Sequence, residues 1–295
     1  MSFRPRRTAL YMPGSNARAL EKARSLDVDV LLLDLEDAVA IDMKDVARTQ
    51  VAEAVKAGGF GHREVVIRIN GLETQWGSDD LAAAIEAKPD AILVPKVNCA
   101  EDVYMVGRKM NDVGADQDIK IWAMMETPQG MLRALEIAEA TKEYHGRRLS
   151  CFVLGTNDLV KETRVAIVPG RAPVYGWLMN CQAAARSFDL DIIDGVFNNF
   201  NDLDGFIAEC EQGAEMGMDG KTLIHPKQIA DCNRIFSPDA DAVAWGRKVI
   251  EAFDAPENQS KNVMTIDGKM VERLHAEMAR RLVDIAEAIA ARDEE

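Results

Sequence analysis

The sequence predicts an α/β protein in which residues 1–236 form a (β/α)8 TIM barrel and residues 237–295 form a C-terminal helical extension. Eight short apolar runs rich in β-branched residues recur along the chain, and stretches of helical length separate them. A length of 295 residues accommodates one barrel of about 250 residues with an appendage.

The runs cover residues 8–12 (TALYM), 30–35 (VLLLDL), 64–69 (EVVIRI), 91–95 (AILVP), 119–125 (IKIWAMM), 151–155 (CFVLG), 191–196 (DIIDGV) and 221–224 (KTLI). Several lack in/out alternation, as expected of parallel strands buried on both faces. Between them, residues 16–25, 44–57, 78–87, 129–141 and 205–215 read as crossover helices. A six-stranded doubly wound sheet is the alternative. Against it, Gly58-Gly59-Phe60-Gly61 lacks the strand–turn–helix setting of a nucleotide fingerprint and reads as a turn, and no G-x-x-x-x-G-K-[ST] occurs. Beyond the eighth run, Ser237-Pro238-Asp239 begins a helix to about residue 253, and a polar stretch follows over 254–262. The tail then shows a strand-like VMTI, an Asp267-Gly268 turn and an amphipathic helix. Leu274, Met278, Leu282, Ile285 and Ile289 recur on that helix at helical spacing, a stripe that needs a surface to cover.

Composition removes several classes of function. No apolar run approaches the roughly 18 to 20 residues of a membrane span, and a net charge of −14 opposes nucleic-acid binding while leaving room for a local basic cluster. The basic run Met1–Arg7 leads into a strand rather than an apolar signal core, so the expected location is cytoplasmic. Five scattered cysteines without a C-x-x-C pair read mostly as buried thiols. Four histidines without H-x-x-x-H or H-E-x-x-H argue against catalytic zinc, and no G-x-S-x-G elbow supports a serine nucleophile.

Active sites of such barrels lie at the C-terminal strand ends, and polar residues gather there. The runs end in Asp34-Leu35-Glu36-Asp37, Arg68-Ile69-Asn70, Pro95-Lys96, Glu126-Thr127-Pro128, Thr156-Asn157-Asp158 and His225-Pro226. Carboxylates facing one cavity repel unless a cation or basic side chains neutralise them, and a hard divalent ion takes oxygen ligands. Glu126 and Asp158 are the expected Mg2+ ligands. Arg68, at the end of an apolar strand, reads as a clamp for a substrate carboxylate or as a structural partner of Glu36 or Asp37. Lys96 reads as a charge-neutralising residue among these acids; a Schiff-base lysine would need a lowered pKa.

Taken in order, Tyr11-Met12-Pro13-Gly14-Ser15, Leu33-Asp34-Leu35-Glu36-Asp37, Val66-Ile67-Arg68-Ile69-Asn70, Val94-Pro95-Lys96, Glu126-Thr127-Pro128, Asn157-Asp158-Leu159, Ile224-His225-Pro226 and Asp267-Gly268-Lys269-Met270-Val271 resemble the citrate lyase β-subunit-like branch of the HpcH/HpaI aldolase superfamily. That branch includes malyl-CoA lyases and malyl-CoA thioesterases. The resemblance implies Mg2+ on Glu126 and Asp158, with Mn2+ as a substitute, and Arg68 on the carboxylate of a keto or hydroxy acid. It implies an acyl-CoA site at Tyr11, Lys22, Ile224 and His225. It also implies homotrimers or hexamers in which the tail covers a neighbouring subunit's active site. Two positions depart from the lyase pattern. Asn16 stands near an arginine position, so phosphate contact passes to Arg18 or is lost, and Glu272 stands where lyases carry an aspartate proposed to exchange a proton with the acetyl-CoA methyl carbon.

The resemblance therefore implies an Mg2+-dependent enzyme acting on malyl-CoA-like thioesters. Its products are acyl-CoA and a keto acid by C–C cleavage, with Glu272 protonating the enolate, or malate and CoA by thioester hydrolysis. The competing readings are a citryl-thioester lyase subunit of a larger citrate lyase complex and a metal-independent aldolase acting through Lys96.

Overall fold

A computed structural model describes residues 4–293; the first three residues of the basic N-terminal run and the last two of the extension lie outside the described residues. Eight parallel strands close a barrel: β1 (Thr8–Pro13), β2 (Val30–Asp34), β3 (Glu64–Arg68), β4 (Ala91–Val94), β5 (Lys120–Met125), β6 (Leu149–Leu154), β7 (Asp191–Asp194) and β8 (Gly220–Leu223). They pair in chain order, and β1 returns to β8 through Ala9 and Thr222. Every predicted run is a strand, and closure disposes of the doubly wound alternative.

Residues two apart on a strand share a face, which separates the barrel interior from the surface beneath the helices. The interior holds Ala9, Val30, Leu32, Val66, Ala91, Leu93, Trp122, Met124, Cys151, Val153 and Ile193, while Leu31 and Leu33 have the opposite parity and are buried too. Burial on both sides of the strand is why their sequence shows no alternation. Below this layer Arg6 spans Glu64 and Asp191, its guanidinium 4.9 Å from the Trp122 ring.

Helices Lys44–Ala57, Gly77–Ala87 and Leu203–Glu215 follow their predicted ranges closely. The segment read as one helix over 129–141 differs. It is split into Pro128–Leu132, Ala134–Glu139 and a 3-10 turn Ala140–Lys142, with Arg133 outside helical geometry at φ −107°, ψ 16°. Tertiary structure accommodates the break, because Asn180 Nδ2 donates to the Met131 carbonyl at 2.6 Å.

The chain divides into the barrel unit, Arg6–Asn233, and a second unit made mainly of residues from Arg234 onward. Within the second unit, helix Ala240–Asp254 is capped by Asp239, whose carboxylate accepts from Ala242 N at 3.0 Å. The VMTI run is β9 (Val263–Ile266), paired antiparallel with β10 (Lys269–Glu272) across Asp267 and Gly268, both at positive φ. This is the Asp-Gly turn that a two-residue hairpin selects. The sequence reading omitted β10, whose four residues carry little apolar pattern. Val249, Phe253, Ile266, Val271 and Ala276 form the unit's core.

The final helix, Arg273–Asp293, leaves part of the predicted apolar stripe uncovered within its own unit. Ala276, Ala279 and Val283 are its buried face, while Leu274 and Met278 are 49% and 65% exposed. Gly246 faces this contact, where an added Cβ would meet Ala279 Cβ at 3.4 Å, an ordinary van der Waals separation. Small residues therefore occupy the contact.

Candidate active site

The parity that fills the barrel interior also places the polar residues above it. Leu32 leads to Asp34, Val66 to Arg68 and Met124 to Glu126, each two residues on and hence on the inner face. Val153 leads to Gly155, where a Cβ would lie 2.5 Å from Glu126 Cβ and Oε2. The glycine leaves the space that Glu126 occupies.

Arg68 is buried, and a lone guanidinium there would be costly. Asp34 answers it with two hydrogen bonds, from Nε at 2.7 Å and from Nη2 at 2.6 Å. The third edge, Nη1, lies 3.1 Å from both Asp37 and Glu36, and the Tyr11 ring packs 4.8 Å from the guanidinium carbon. Burial would lower the Arg68 pKa, but Asp34 and its neighbours hold it well above the ordinary value. Of the expected partners Glu36 and Asp37 are present, while the principal one is Asp34, quoted in the sequence motif but not singled out. Asp34 also accepts from Glu36 N and Ala38 N, so it shapes the loop after β2 as well.

Glu126 is 1% exposed, and its Oε1 accepts from the backbone N of Lys96 at 2.8 Å. Asp158 stands in the first turn of helix Thr156–Thr163. The Lys96 ammonium lies between acids, 3.7 Å from Glu36 and 3.9 Å from Asp158. Burial, and then the charge of Glu36, push Glu126 up to about 8; burial likewise pushes Glu36 up to about 7, against the pull of Arg68. Glu36 Oε2 is buried and accepts no hydrogen bond, although the Arg68 guanidinium is near it. Crowded, under-neutralised carboxylates with an orphaned oxygen are what a hard cation relieves, so the residues fit a divalent ion. Among the described residues no three His, Cys, Asp or Glu side chains are grouped to hold a metal. Glu126 and Asp158 would offer such an ion two carboxylates, the sparse protein ligation that Mg2+ commonly takes.

These groups surround a cavity of about 280 Å3, lined by Tyr11, Asp34, Asp37, Arg68, Glu126, Asp158 and Ile224, with Thr156, Asn157 and Asn198 at its rim. Asn157 and Asn198 exchange amide hydrogen bonds of 3.1 and 2.7 Å. Sequence reasoning missed Asn198, since a single Asn in the loop after β7 carries no pattern. It also missed Gly155, whose signal was a glycine at an inward strand position.

Of the expected acyl-CoA residues, Tyr11 and Ile224 line the cavity. His225 stacks on Phe200 at 4.6 Å between ring centroids, and its Nδ1 accepts from Lys227 N. Lys22 is exposed on helix Ala17–Ala23 and does not line the cavity, while Asn16 caps that helix by accepting from Ala19 N. Glu272 belongs to the second unit, half-buried at the end of β10, where its backbone N donates to His275 Nδ1. Lys96 does not meet the requirement of a Schiff-base amine. Although burial would lower its pKa, Glu36, Asp158 and Glu126 raise it.

Comparisons with known proteins agree with this architecture. A curated (3S)-malyl-CoA thioesterase of Cereibacter sphaeroides is 47% identical over 97% of this chain and 96% of its own. The citrate lyase subunit beta of Escherichia coli is 32% identical over 99% and 96%, and the L-malyl-CoA/beta-methylmalyl-CoA lyase of Cereibacter sphaeroides is 31% identical over 98% and 96%. Among solved structures, the CitE protein of Mycobacterium tuberculosis in complex with magnesium, acetoacetate and coenzyme A has a similar fold. It superposes with a TM-score of 0.74 at 23% identity, covering 96% of this chain and 98% of that one. The family described as HpcH/HpaI aldolase/citrate lyase matches residues 7–226. An enzyme's barrel, a strand-end ring of acids around a buried arginine, and near full-length kinship to lyases and thioesterases thus converge: this chain belongs to the HpcH/HpaI aldolase/citrate lyase family.

Proposed function

We propose that this protein is a divalent-cation-dependent enzyme that hydrolyses a malyl-CoA-like 3-hydroxyacyl-CoA thioester to the hydroxy acid and CoA. The observation that carries the reading is the convergence of Arg68, Glu126 and Asp158 on one cavity at the strand ends. The 47% identity to a (3S)-malyl-CoA thioesterase, against 31% to a malyl-CoA lyase, supports hydrolysis over C–C cleavage.

Glu126 and Asp158 hold Mg2+, or Mn2+ in its place. The bound ion supplies Lewis-acid polarisation of substrate oxygens and charge to balance them. Arg68 grips the substrate carboxylate through Nη1, the edge that Asp34 leaves open; Glu36 and Asp37 both lie beside it here, and exposed Asp37 is the one that yields to the substrate. Asp34 keeps the guanidinium plane fixed, so binding needs little reorientation. Lys96 balances Glu36 and Asp158. Tyr11, Ile224 and His225 border the acyl-CoA path, and Lys22 meets CoA phosphate from the outer surface. Water attacks the thioester carbonyl, a carboxylate takes its proton, and the C–S bond breaks with the sulfur leaving as CoA thiolate, which takes that proton back from the carboxyl to become the thiol. Glu272 is the tail acid proposed for proton exchange in the cleavage version of the reaction.

The proposal includes a homotrimer or hexamer in which the tail covers a neighbouring active site, supported by the uncovered Leu274 and Met278 on the final helix. It also includes a cytoplasmic location, supported by five free cysteines. No helix among the described residues is long and apolar enough to cross a membrane.

Incubation of the purified protein with malyl-CoA and Mg2+ tests the reading. Malate plus free CoA is expected. Acetyl-CoA plus glyoxylate overturns hydrolysis in favour of C–C cleavage, and absence of turnover favours a subunit that needs a larger complex. Activity that survives EDTA but is lost on borohydride trapping returns the role to Lys96.

A further inference from the structure

Lys96 has a left-handed backbone, φ 50°, at the point where β4 gives way to its loop. Few non-glycine residues take this conformation, and it costs free energy that local contacts must offset. Here the conformation turns the Lys96 N–H toward Glu126 Oε1, 2.8 Å away. The Lys96 backbone carbonyl accepts from Asn98 Nδ2 at 2.9 Å, and the Asn98 side-chain Oδ1 accepts from the Thr127 hydroxyl at 2.6 Å. Thr127 follows Glu126 in the chain, so the contacts close a ring: Glu126, Lys96, Asn98, Thr127 and back through one peptide bond. Two further bonds fix the ring's outer members. Asp102 accepts from Asn98 N at 2.7 Å, and the Thr127 hydroxyl oxygen accepts from Gly130 N at 3.0 Å.

We infer that Asn98 and Thr127 are positioning residues for the cation site: they hold Lys96 in its left-handed conformation, and the Lys96 amide in turn holds Glu126 in the orientation that ligates the ion. The inference rests on the reading of Glu126 as a metal ligand. A carboxylate with one oxygen committed to a fixed N–H presents the other in one direction. Without that bond, it must be ordered when the ion binds. The ring needs two kinds of side chain, an amide at 98 and a hydroxyl at 127. Asn98 needs a donor for the Lys96 carbonyl and an acceptor for Thr127, which an amide supplies together. Thr127 needs a hydroxyl to donate to Asn98 while accepting from Gly130 N. Loss of such an outer partner typically weakens metal affinity by about 10- to 100-fold.

The test measures Mn2+ affinity of the full-length protein by electron paramagnetic resonance or calorimetry without substrate, alongside the thermal midpoint. Glu126→Gln is expected to abolish binding. Thr127→Val and Asn98→Ala are expected to raise the Mn2+ Kd at least about tenfold, while Thr127→Ser stays near wild type. Asp239→Ala, which removes a helix cap in the second unit, controls for simple loss of stability and is expected to leave the Kd unchanged. If Glu126→Gln binds Mn2+ like wild type, the ligand reading fails and the inference with it. If Glu126→Gln loses Mn2+ but Thr127→Val and Asn98→Ala bind normally, the inference alone is overturned. A Thr127→Ser variant as weak as Thr127→Val also overturns it, because the hydroxyl is then not the acting group.

Discussion

Arg68 shows how one residue serves structure and chemistry together. Its fork is two-thirds committed to Asp34, and only a planar guanidinium can keep that commitment while offering a further edge to a ligand. Lysine in its place keeps the charge but loses the fork. Arg68→Lys is therefore expected to lower kcat/KM for a malyl-CoA substrate by about 10- to 100-fold, the loss of one or two charged hydrogen bonds. Steady-state kinetics at saturating Mg2+ check this. Gly155 makes the complementary case. A methyl group there would collide with Glu126, so Gly155→Ala is expected to cost about 1–3 kcal/mol by overpacking. It should also weaken Mn2+ binding by about tenfold or more through displacement of Glu126. Chemical denaturation and an Mn2+ titration would show both effects. An unchanged Kd would mean that Glu126 tolerates the shift.

Among elements, the end of β7 and the beginning of β8 carry a buried ionic cluster apart from the proposed chemistry. Lys221 Nζ donates to Asp194 at 3.0 Å and to Glu209 at 2.7 Å, and Arg171 Nη1 donates to both Asp194 oxygens. Asp194 and Lys221 are fully buried. Removing one partner leaves an uncompensated charge, so Lys221→Met is expected to destabilise by about 3–5 kcal/mol in urea denaturation. Burial alone would raise Asp194, but Lys221 and Arg171 outweigh it and hold the carboxyl below its ordinary 3.8. A depressed folded-state pKa gives stability that is present above pH 3.8 and is lost as pH falls through the folded value. Asp194→Asn is expected to show a shallower loss of stability on acidification below pH 3.8 than wild type, read from denaturation midpoints across a pH series. Elements also mark where local pattern stops informing. The eight strands were legible because burial on both faces forces continuous apolar runs. The break at Arg133 was not, because it depends on Asn180, distant in sequence, taking the Met131 carbonyl.

For the whole molecule, the final helix leaves Leu274 and Met278 exposed while Leu282, Ile285 and Ile289 are half-buried and Ala276, Ala279 and Val283 are buried. If that stripe is the surface by which copies assemble, Leu274→Glu with Met278→Glu is expected to reduce the mass in light scattering from an oligomer to a monomer. The barrel's circular-dichroism spectrum should be unchanged. An unaltered mass would remove the stripe from the interface.

The sequence by itself determined the barrel, the order of its strands and the set of polar residues at their ends, because a continuous apolar run and the point where it ends are local properties. It also marked the acids for which a cation is proposed, Glu126 and Asp158. Tertiary structure decided the rest. Strand adjacency set Asp34 against Arg68, made Gly155 the space for Glu126, and brought the Lys96 amide of the left-handed turn to Glu126. Each depends on which strands lie side by side, and that adjacency joins residues about 30 positions apart that no local pattern connects.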